Sequence, residues 1–209
     1  TNELKQELSK NMQNCDYFSI PRKNIIFGKW IRHSRWWPDY QVRLFKKNAV
    51  VWPTEIHNQP KTSGKEHKIE LKEELAITHF NYESIDEYVS KAMRYAKSEA
   101  YGYMQKKQPM TLPNTITTAV SEFISRFFAG EGYKDGVHGF ILALFQMFYS
   151  LLVYFYYLEQ VKFKTEVSEK ELLQSPSKLF GTLYQESLFW KNKKDSLSVK
   201  EKIIEKFMR

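Results

Sequence analysis

The sequence predicts an α+β or α/β fold, in which a short mixed sheet is followed by a mostly helical C-terminal region. Within residues 1–82, short runs rich in β-branched and aromatic residues are separated by prolines and glycines, which is typical of strands and loops. Beyond residue 83, longer segments carry apolar residues at helical spacing. The chain has 209 residues, 42% of them hydrophobic, so it can bury a core.

The first 82 residues are expected to form one helix and five short strands. The helix is predicted over residues 2–13, because Leu4, Leu8 and Met12 recur at i, i+4 and i+8. The β-rich runs are Tyr17–Ile20, Asn24–Ile31, Gln41–Phe45, Ala49–Trp52 and Leu75–Phe80, with a polar surface loop over residues 58–68.

The remainder is expected to be helical, in two regions, 83–160 and 161–209. Ser84 and Glu87 have capping-box spacing and predict the start of a helix that reaches about Tyr103. A basic linker broken by two prolines separates it from a second helix over residues 115–129. The basic tail is predicted to hold one or two further helices, for example over residues 197–208.

Residues 139–158 form an uncharged segment of 20 residues, which is long enough to span a bilayer as a helix. Gln146 and Ser150 lie inside it, and tyrosines gather in its C-terminal half, where they would favour a membrane interface. Three interpretations remain open: an interfacial or re-entrant helix, a buried core helix, and a true membrane span.

The composition indicates a basic protein of a reducing compartment. The net charge of +8 and the pI of about 9.3 favour anionic partners, although a solvated lysine-rich surface would give the same values. Cys15 is the single cysteine, so an intrachain disulfide is impossible and a cytosolic location is expected. The chain starts with Thr1 in a segment that is already helical, and we therefore expect it to be part of a longer protein.

The segment from Pro21 to Lys47 is the most informative part of the sequence. Its only carboxylate is Asp39, which follows Trp36 and Trp37 and is surrounded in sequence by arginines and lysines. An acid beside aromatic rings suits a general base in a sugar-binding pocket. The alternative is that Asp39 forms a structural ion pair with Arg43.

Three motifs carry a family resemblance. They are WWPDYQ-x-RLF at residues 36–45, HFNYESIDEYVSKAMRYAKSEA at residues 79–100, and G-x-x-D-G-x-x-G-F at residues 132–140. Together they resemble family 2 glycosyltransferases of the lipopolysaccharide-core glucosyltransferase type, over residues 1–160. The first motif is specific, and the other two support it.

The resemblance implies a GT-A fold, of which residues 1–82 would form the acceptor-side half. Asp39 falls where the family carries its catalytic base, and Trp36, Trp37, Arg22 and Arg43 would bind substrate. His57 falls where many such enzymes place a histidine near the metal and the diphosphate; a strand-end histidine bonded to the backbone is the alternative. The glutamate that often follows this histidine is replaced here by Asn58.

Two further residues are considered beside these. Arg94 lies on the first predicted long helix near Lys91 and Tyr95, where it would meet an acceptor phosphate or belong to a solvated basic face. His79 is expected to be structural.

The implied cofactor is a divalent cation, Mg²⁺ or Mn²⁺. In the GT-A fold a DxD motif holds this cation with the sugar-nucleotide diphosphate, and the sequence contains no DxD. We therefore expect the motif and the donor-binding half to lie upstream of Thr1.

The predicted activity is inverting transfer of a sugar from a nucleotide-sugar donor to a cell-envelope or lipid-linked saccharide, with Asp39 as the base. The basic surface and the aromatic segment 139–158 suggest a cytoplasmic protein, peripheral on the inner face of the cell membrane. The alternative is a non-enzymatic basic module that binds a membrane surface or nucleic acid. The sequence has no RNP-type or zinc pattern, so nucleic acid is not expected as a partner.

Overall fold

The computed structural model of this chain describes residues 1–53, 59–164, 167–194, 198–201 and 204. The chain has a small sheet and several helices, with 57% of it helical, which confirms the mixed α and β class. It divides into two compact units, Thr1–Glu83 and Ser84–Arg209.

The first unit is built around a long central strand. Its described strands are β1 Tyr17–Ile26, β2 Lys29–Trp30, β3 Tyr40–Phe45, β4 Val50–Val51, β5 Lys61–Thr62, β6 Glu66–Lys68 and β7 Ile77–Tyr82. Strand β1 runs antiparallel to β3 along its first half and to β2 at its end, and it is parallel to β6 and β7. Strands β4 and β5 form a separate antiparallel pair.

Strand β1 corrects two of the predicted strand boundaries. Pro21 was expected to end a strand, but pairing with the segment before β3 continues, since the next backbone N–H, of Arg22, donates to Asp39 O at 2.8 Å. The run predicted over Asn24–Ile31 is instead interrupted by a turn at Phe27 and Gly28, both of which have positive φ (50° and 76°).

The polar stretch predicted as a loop over residues 58–68 contains two short strands, β5 and β6. Strand β6 pairs with Tyr17–Ser19 and β5 with Val50–Val51, so their partners are remote in the sequence. The local composition around these strands is typical of a loop. The strands form because they pair with other segments, which the local composition does not indicate.

The core of the first unit lies between the first helix, α1 Asn2–Asn11, and the sheet. Leu4 from α1 packs with Phe18, Ile20 and Ile69, all of them buried. The side chain of Thr1 caps the helix by accepting from the Leu4 backbone N–H at 3.2 Å. The predicted N-terminal helix is thus confirmed, although it ends two residues earlier.

The second unit is helical throughout its described elements. The helices are α2 Ile85–Gln105, α3 Leu112–Ile124, α4 Val137–Gln160 and α5 Glu169–Lys193. Ser84 caps α2 by accepting from Glu87 N–H at 3.1 Å, as its spacing predicted. Helix α3 continues into a π-helical turn, Ser125–Ala129. Most of the helix predicted over residues 197–208 lies outside the described residues.

Helices α3, α4 and α5 share one apolar core. Val120 and Phe123 of α3 pack with Ala143 of α4, and Leu183 and Trp190 of α5 pack against this cluster. The tail beyond residue 160, which the sequence set apart as a third region, therefore supplies a helix to the same compact unit as α3 and α4.

The glycines before and within α4 allow close backbone contact. The G-x-x-D-G segment forms a 3₁₀ turn, Gly132–Asp135, and Gly136, with a φ of 68°, precedes the helix. A Cβ on Gly139 would overlap the carbonyl oxygen of Gly132 and lie 2.7 Å from its carbonyl carbon. Only glycine at position 139 permits this approach without a backbone shift.

Helix α4 has one buried side and one exposed side. Leu142, Ala143 and Val153 are buried, whereas Phe148 and Phe155 remain 51% and 46% exposed. Among the described residues, α4 is the one helix whose length and apolar composition would allow it to cross a membrane. The helix is longer at both ends than the segment 139–158 on which the prediction rested.

Candidate functional site

Asp39 precedes β3, and its carboxylate lies against two side chains of β1. Arg22 donates to Oδ2 from Nε at 2.8 Å, and its Nη2 lies 2.6 Å from the same oxygen. Asn24 Nδ2 donates to Oδ2 as well, at 2.8 Å, and Gln41 Nε2 donates to Oδ1 at 2.7 Å. Arg22 and Asn24 reach Asp39 together because alternate residues of a strand share a face.

The two oxygens of this carboxylate are therefore unequally occupied. Each carboxylate oxygen offers about two lone-pair positions, and Oδ2 takes three donor contacts while Oδ1 takes one. Within the described residues, Oδ1 of Asp39 thus keeps room for a further donor. The side chain is 19% exposed, so a ligand in solution can reach this carboxylate.

Asn24 is the residue that joins this site to the rest of the sheet. It is fully buried, and its amide nitrogen donates both to Asp39 Oδ2 and to the backbone carbonyl of Trp36, the latter at 3.0 Å. Its amide oxygen lies 2.9 Å from His79 Nδ1 on β7. A buried amide has to be hydrogen-bonded to avoid a desolvation penalty, and here both ends of the amide are bonded.

These partners fix the tautomer at His79. The carboxylate of Asp39 and the carbonyl of Trp36 can only accept, so they must face the NH₂ end of Asn24. The amide oxygen then faces His79, and Nδ1 of that histidine must carry a hydrogen and donate it. A continuous polar chain therefore runs from His79 through Asn24 to Asp39.

An aromatic and cationic cluster borders this segment. The Trp30 ring has the Arg32 guanidinium 3.8 Å and the Lys23 ammonium 4.4 Å from its centroid, both within cation–π range. Trp37 packs edge-on against the same ring, with centroids 5.2 Å apart. Glu73 forms ion pairs with Lys23 and Arg32. The peptide bond between Trp37 and Pro38 is cis.

Three polar atoms of this region are buried without a hydrogen-bond partner among the described residues. They are Trp30 Nε1, Trp36 Nε1 and Ser34 Oγ. Ser34 is only 1% exposed. Buried polar groups are normally hydrogen-bonded, so these atoms are candidates for contacts with enclosed water.

The structure separates the predicted site residue Arg43 from Asp39. Arg43 does not pair with Asp39; it donates to its neighbour's carbonyl, Val42 O, at 2.8 Å and lies over the Trp52 ring at 5.9 Å. The alternative of a structural Asp39–Arg43 pair is therefore wrong, and Arg22 takes that place.

Two other predicted site residues, Arg94 and His57, are not described as part of this first-unit cluster. Arg94 belongs to the second unit, where it is exposed on α2 and lies 5.3 Å from the Tyr95 ring. Its neighbour Lys91 is paired with Glu87 at 2.6 Å. His57 lies outside the described residues, so its predicted role near a metal stays a prediction.

Sequence reasoning identified Asp39, Arg22 and Trp36 but missed Asn24 and Gln41. An asparagine within the β-branched run that became β1 was a usable signal, because an inward-facing polar residue in a buried strand needs partners. The partner itself, His79, could not be identified locally, since only the β1–β7 register sets it opposite Asn24.

The described residues do not fit a metal centre. They contain no group of three or more histidine, cysteine, aspartate or glutamate side chains placed to hold an ion. The carboxylate of Asp39 is already bonded to Arg22, Asn24 and Gln41.

No family model matches this chain, and no solved structure matches it.

Proposed function

We propose that this chain supplies the acceptor side of an inverting glycosyltransferase, which moves a sugar from a nucleotide-sugar donor to a cell-envelope or lipid-linked saccharide. The observation that carries the proposal is the asymmetric environment of Asp39. Three donor contacts hold Oδ2 in place, and Oδ1 keeps an open lone pair in a partly exposed position. A fixed, partly exposed carboxylate with spare acceptor capacity on one oxygen suits a general base.

In this mechanism, Oδ1 of Asp39 accepts the proton of the acceptor hydroxyl. The acceptor oxygen forms a bond to the anomeric carbon of the donor while the bond from that carbon to the nucleotide diphosphate breaks, which inverts the configuration. The contribution expected of the base is roughly 10²- to 10⁴-fold in rate.

The neighbours of Asp39 have positioning roles in the proposal. Arg22 and Asn24 hold Oδ2, and Gln41 restrains the other oxygen, so the carboxylate plane is fixed before substrate binds. In this proposal the divalent cation and the donor diphosphate are held outside the described residues, which contain no group of three or more potential metal ligands.

The exposed side of α4 supports the proposed location on the inner face of the cell membrane. Phe140, Phe148 and Phe155 are all more than 40% exposed, although large apolar side chains are usually buried. The net charge of +8 favours an anionic lipid surface. An acceptor carried on a lipid would be available at that surface.

The proposal is tested with the full-length product of the gene, incubated with labelled nucleotide sugars and envelope saccharide extracts. Replacing Asp39→Asn keeps the side-chain shape but removes the proton acceptor, so turnover should fall by about 10²-fold or more. The matched control is Asp16→Asn, which alters another acid of the same unit, paired at 3.1 Å with Lys46 and remote from the hydrogen bonds of Asp39.

The control should retain turnover, and both variants should keep donor binding and a cooperative thermal transition. Unchanged turnover in Asp39→Asn would leave this carboxylate as a structural partner of Arg22. If the full-length product transfers no sugar from any nucleotide donor, the non-enzymatic alternative is favoured instead.

A further inference from the structure

A cleft of about 470 Å³ with a mixed polar and apolar lining lies within the second unit, between α2, α3 and α4. This volume falls in the range of roughly 300–1,000 Å³ that small-molecule sites occupy. All three helices contribute polar side chains to it, and the feature is independent of the residues around Asp39.

The cleft explains why polar residues occur within the otherwise apolar helix α4. Gln146, Tyr149, Ser150 and Val153 all line it, and their spacing of i, i+3, i+4 and i+7 sets them on one face of the helix. Phe148 and the other exposed aromatic side chains lie on the opposite face. The polar side chains of α4 are thus on the side of the helix that lines the cleft.

Glu99 of α2 and Tyr149 of α4 both line the cleft and are bonded to each other. The tyrosine hydroxyl donates to Glu99 Oε2 at 2.6 Å. Burial and this bond to the carboxylate raise the pKa of Tyr149, so the hydroxyl stays protonated and remains a donor. Within the described residues, Glu99 Oε1 accepts no hydrogen bond, and Glu99 lines the cleft together with other polar residues.

Helix α3 adds a second polar wall. Asn114, Thr118 and Glu122 recur at i, i+4 and i+8 and line the cleft. Glu122 is held by Arg126 at 2.9 Å, whereas the side-chain amides of Asn114 and Gln146 form no hydrogen bond with the described residues. Two amides, two carboxylates and several hydroxyls therefore converge on one space.

The charge of the cleft restricts its ligand. No lysine or arginine is among the described residues that line it, although the protein as a whole is basic. Two carboxylates disfavour a phosphate or diphosphate group. The lining residues accept and donate at many points, which suits a neutral ligand rich in hydroxyl groups.

A second cavity of about 510 Å³ shares Met110, Thr111 and Asn114 with the first one. It is lined in part by Tyr154 and Tyr157 of α4, whose rings stack with centroids 6.4 Å apart. Tyrosine presents an apolar ring face with a polar tip, a combination that suits the two kinds of surface on a sugar. The two spaces together can take a ligand longer than one ring.

We propose that the cleft between α2, α3 and α4 is a second saccharide site, which binds a neutral sugar unit of the acceptor through Glu99, Asn114, Gln146 and Tyr149. This inference rests on the proposed function for the identity of the saccharide as an acceptor.

The test measures binding of three neutral disaccharides, maltose, lactose and cellobiose, to the intact chain by saturation-transfer NMR and titration. Asn114→Ala and Gln146→Leu should each weaken binding of the preferred disaccharide about three- to tenfold, the loss expected for one hydrogen bond. Asn114 is exposed on the helix surface, so its replacement tests the site without a risk to folding.

Thr117→Ala is the matched control, because Thr117 is an exposed residue of α3 that does not line the cleft, so its replacement should leave disaccharide affinity unchanged. If no disaccharide binds at millimolar concentration, or if binding is insensitive to both cleft variants, the saccharide site is refuted. Disaccharide binding that depends on the cleft in a full-length product without transferase activity would support the site while refuting the proposed function. Transferase activity in a full-length product whose cleft binds no disaccharide would support the proposed function and refute the saccharide site.

Discussion

Asn24 and Asp39, 15 residues apart in the sequence, are joined by a hydrogen bond of 2.8 Å from the buried amide to Oδ2 of the carboxylate. The same amide nitrogen binds the Trp36 carbonyl, and the amide oxygen takes the hydrogen of His79. One side chain thereby links β1, β7 and the segment that leads to Asp39. The position of the candidate base depends on this link as well as on Arg22.

We predict that Asn24→Ala destabilises the protein. The replacement leaves the Trp36 carbonyl and His79 each without one buried partner, and the loss should reach about 1–3 kcal/mol in the free energy of unfolding. Urea denaturation followed by tryptophan fluorescence measures it. Asn14→Ala, at an exposed position, is the control and should change stability by less than about 0.5 kcal/mol. Equal stability of both variants would contradict the role assigned to Asn24.

The sequence predicted only those candidate-site residues that lie close to one another along the chain. Asp39 stands out because it is the one acid between Asp16 and Glu55, and Trp36 and Arg22 lie in the same stretch. His79 joins the site through the parallel pairing of β1 with β7, in register Asn24↔His79, which no local pattern encodes. The same limit explains the strands β5 and β6 in a segment with the composition of a loop.

The alternative pair between Asp39 and Arg43 fails because an extended strand holds these positions too far apart. Pairing with β1 is regular from Pro21↔Tyr40 to Phe18↔Arg43, and four residues at about 3.3 Å each separate the two positions by about 13 Å. Gln41 lies between them and donates to Asp39 instead. The helices were predicted more successfully, since Ser84 and the apolar spacing of α2 and α4 are local signals.

We predict that part of the stability of the second unit is lost in acid. Ion pairs with Lys134 at 2.6 Å and Lys194 at 3.2 Å lower the pKa of Glu131 to about 2 from its ordinary value of 4.5. Because the pKa is lower in the folded state, this contribution is present above pH 4.5 and disappears as the pH falls towards 2.

The variant Glu131→Gln should therefore melt at a lower temperature than the parent at pH 7, and the two should converge as the pH approaches 2. Thermal melts followed by circular dichroism measure the difference. Since both ion pairs are partly exposed, salt of about 1 M, which shortens the Debye length to about 3 Å, should also reduce the difference. A difference in melting temperature that is constant from pH 7 to pH 2 would rule out the ion pairs as its cause.

We predict that the exposed aromatic side of α4 carries membrane binding. Phe148→Ser together with Phe155→Ser removes two side chains that are 51% and 46% exposed, so binding to vesicles with anionic lipids should weaken at least tenfold. Vesicle co-sedimentation measures the change. The control is Phe80→Ser on β7, where the phenylalanine is 69% exposed but lies outside α4. Equal loss in the control would assign the effect to general surface hydrophobicity.

We predict finally that Gly139→Ala destabilises the helical unit while Gly102→Ala does not. A methyl group at position 139 would overlap the backbone of Gly132, which cannot move aside as a flexible side chain would, and overpacking of this kind costs about 1–3 kcal/mol or more. At position 102, within α2, a methyl group would meet nothing within 4 Å, and the higher helix propensity of alanine should stabilise the helix by up to about 1 kcal/mol. Thermal and urea unfolding of the two variants should therefore shift in opposite directions. A Gly139→Ala protein as stable as its parent would mean that α4 can move away from the Gly132 turn at little cost, and the close contact between these glycines would then not be what fixes the start of α4.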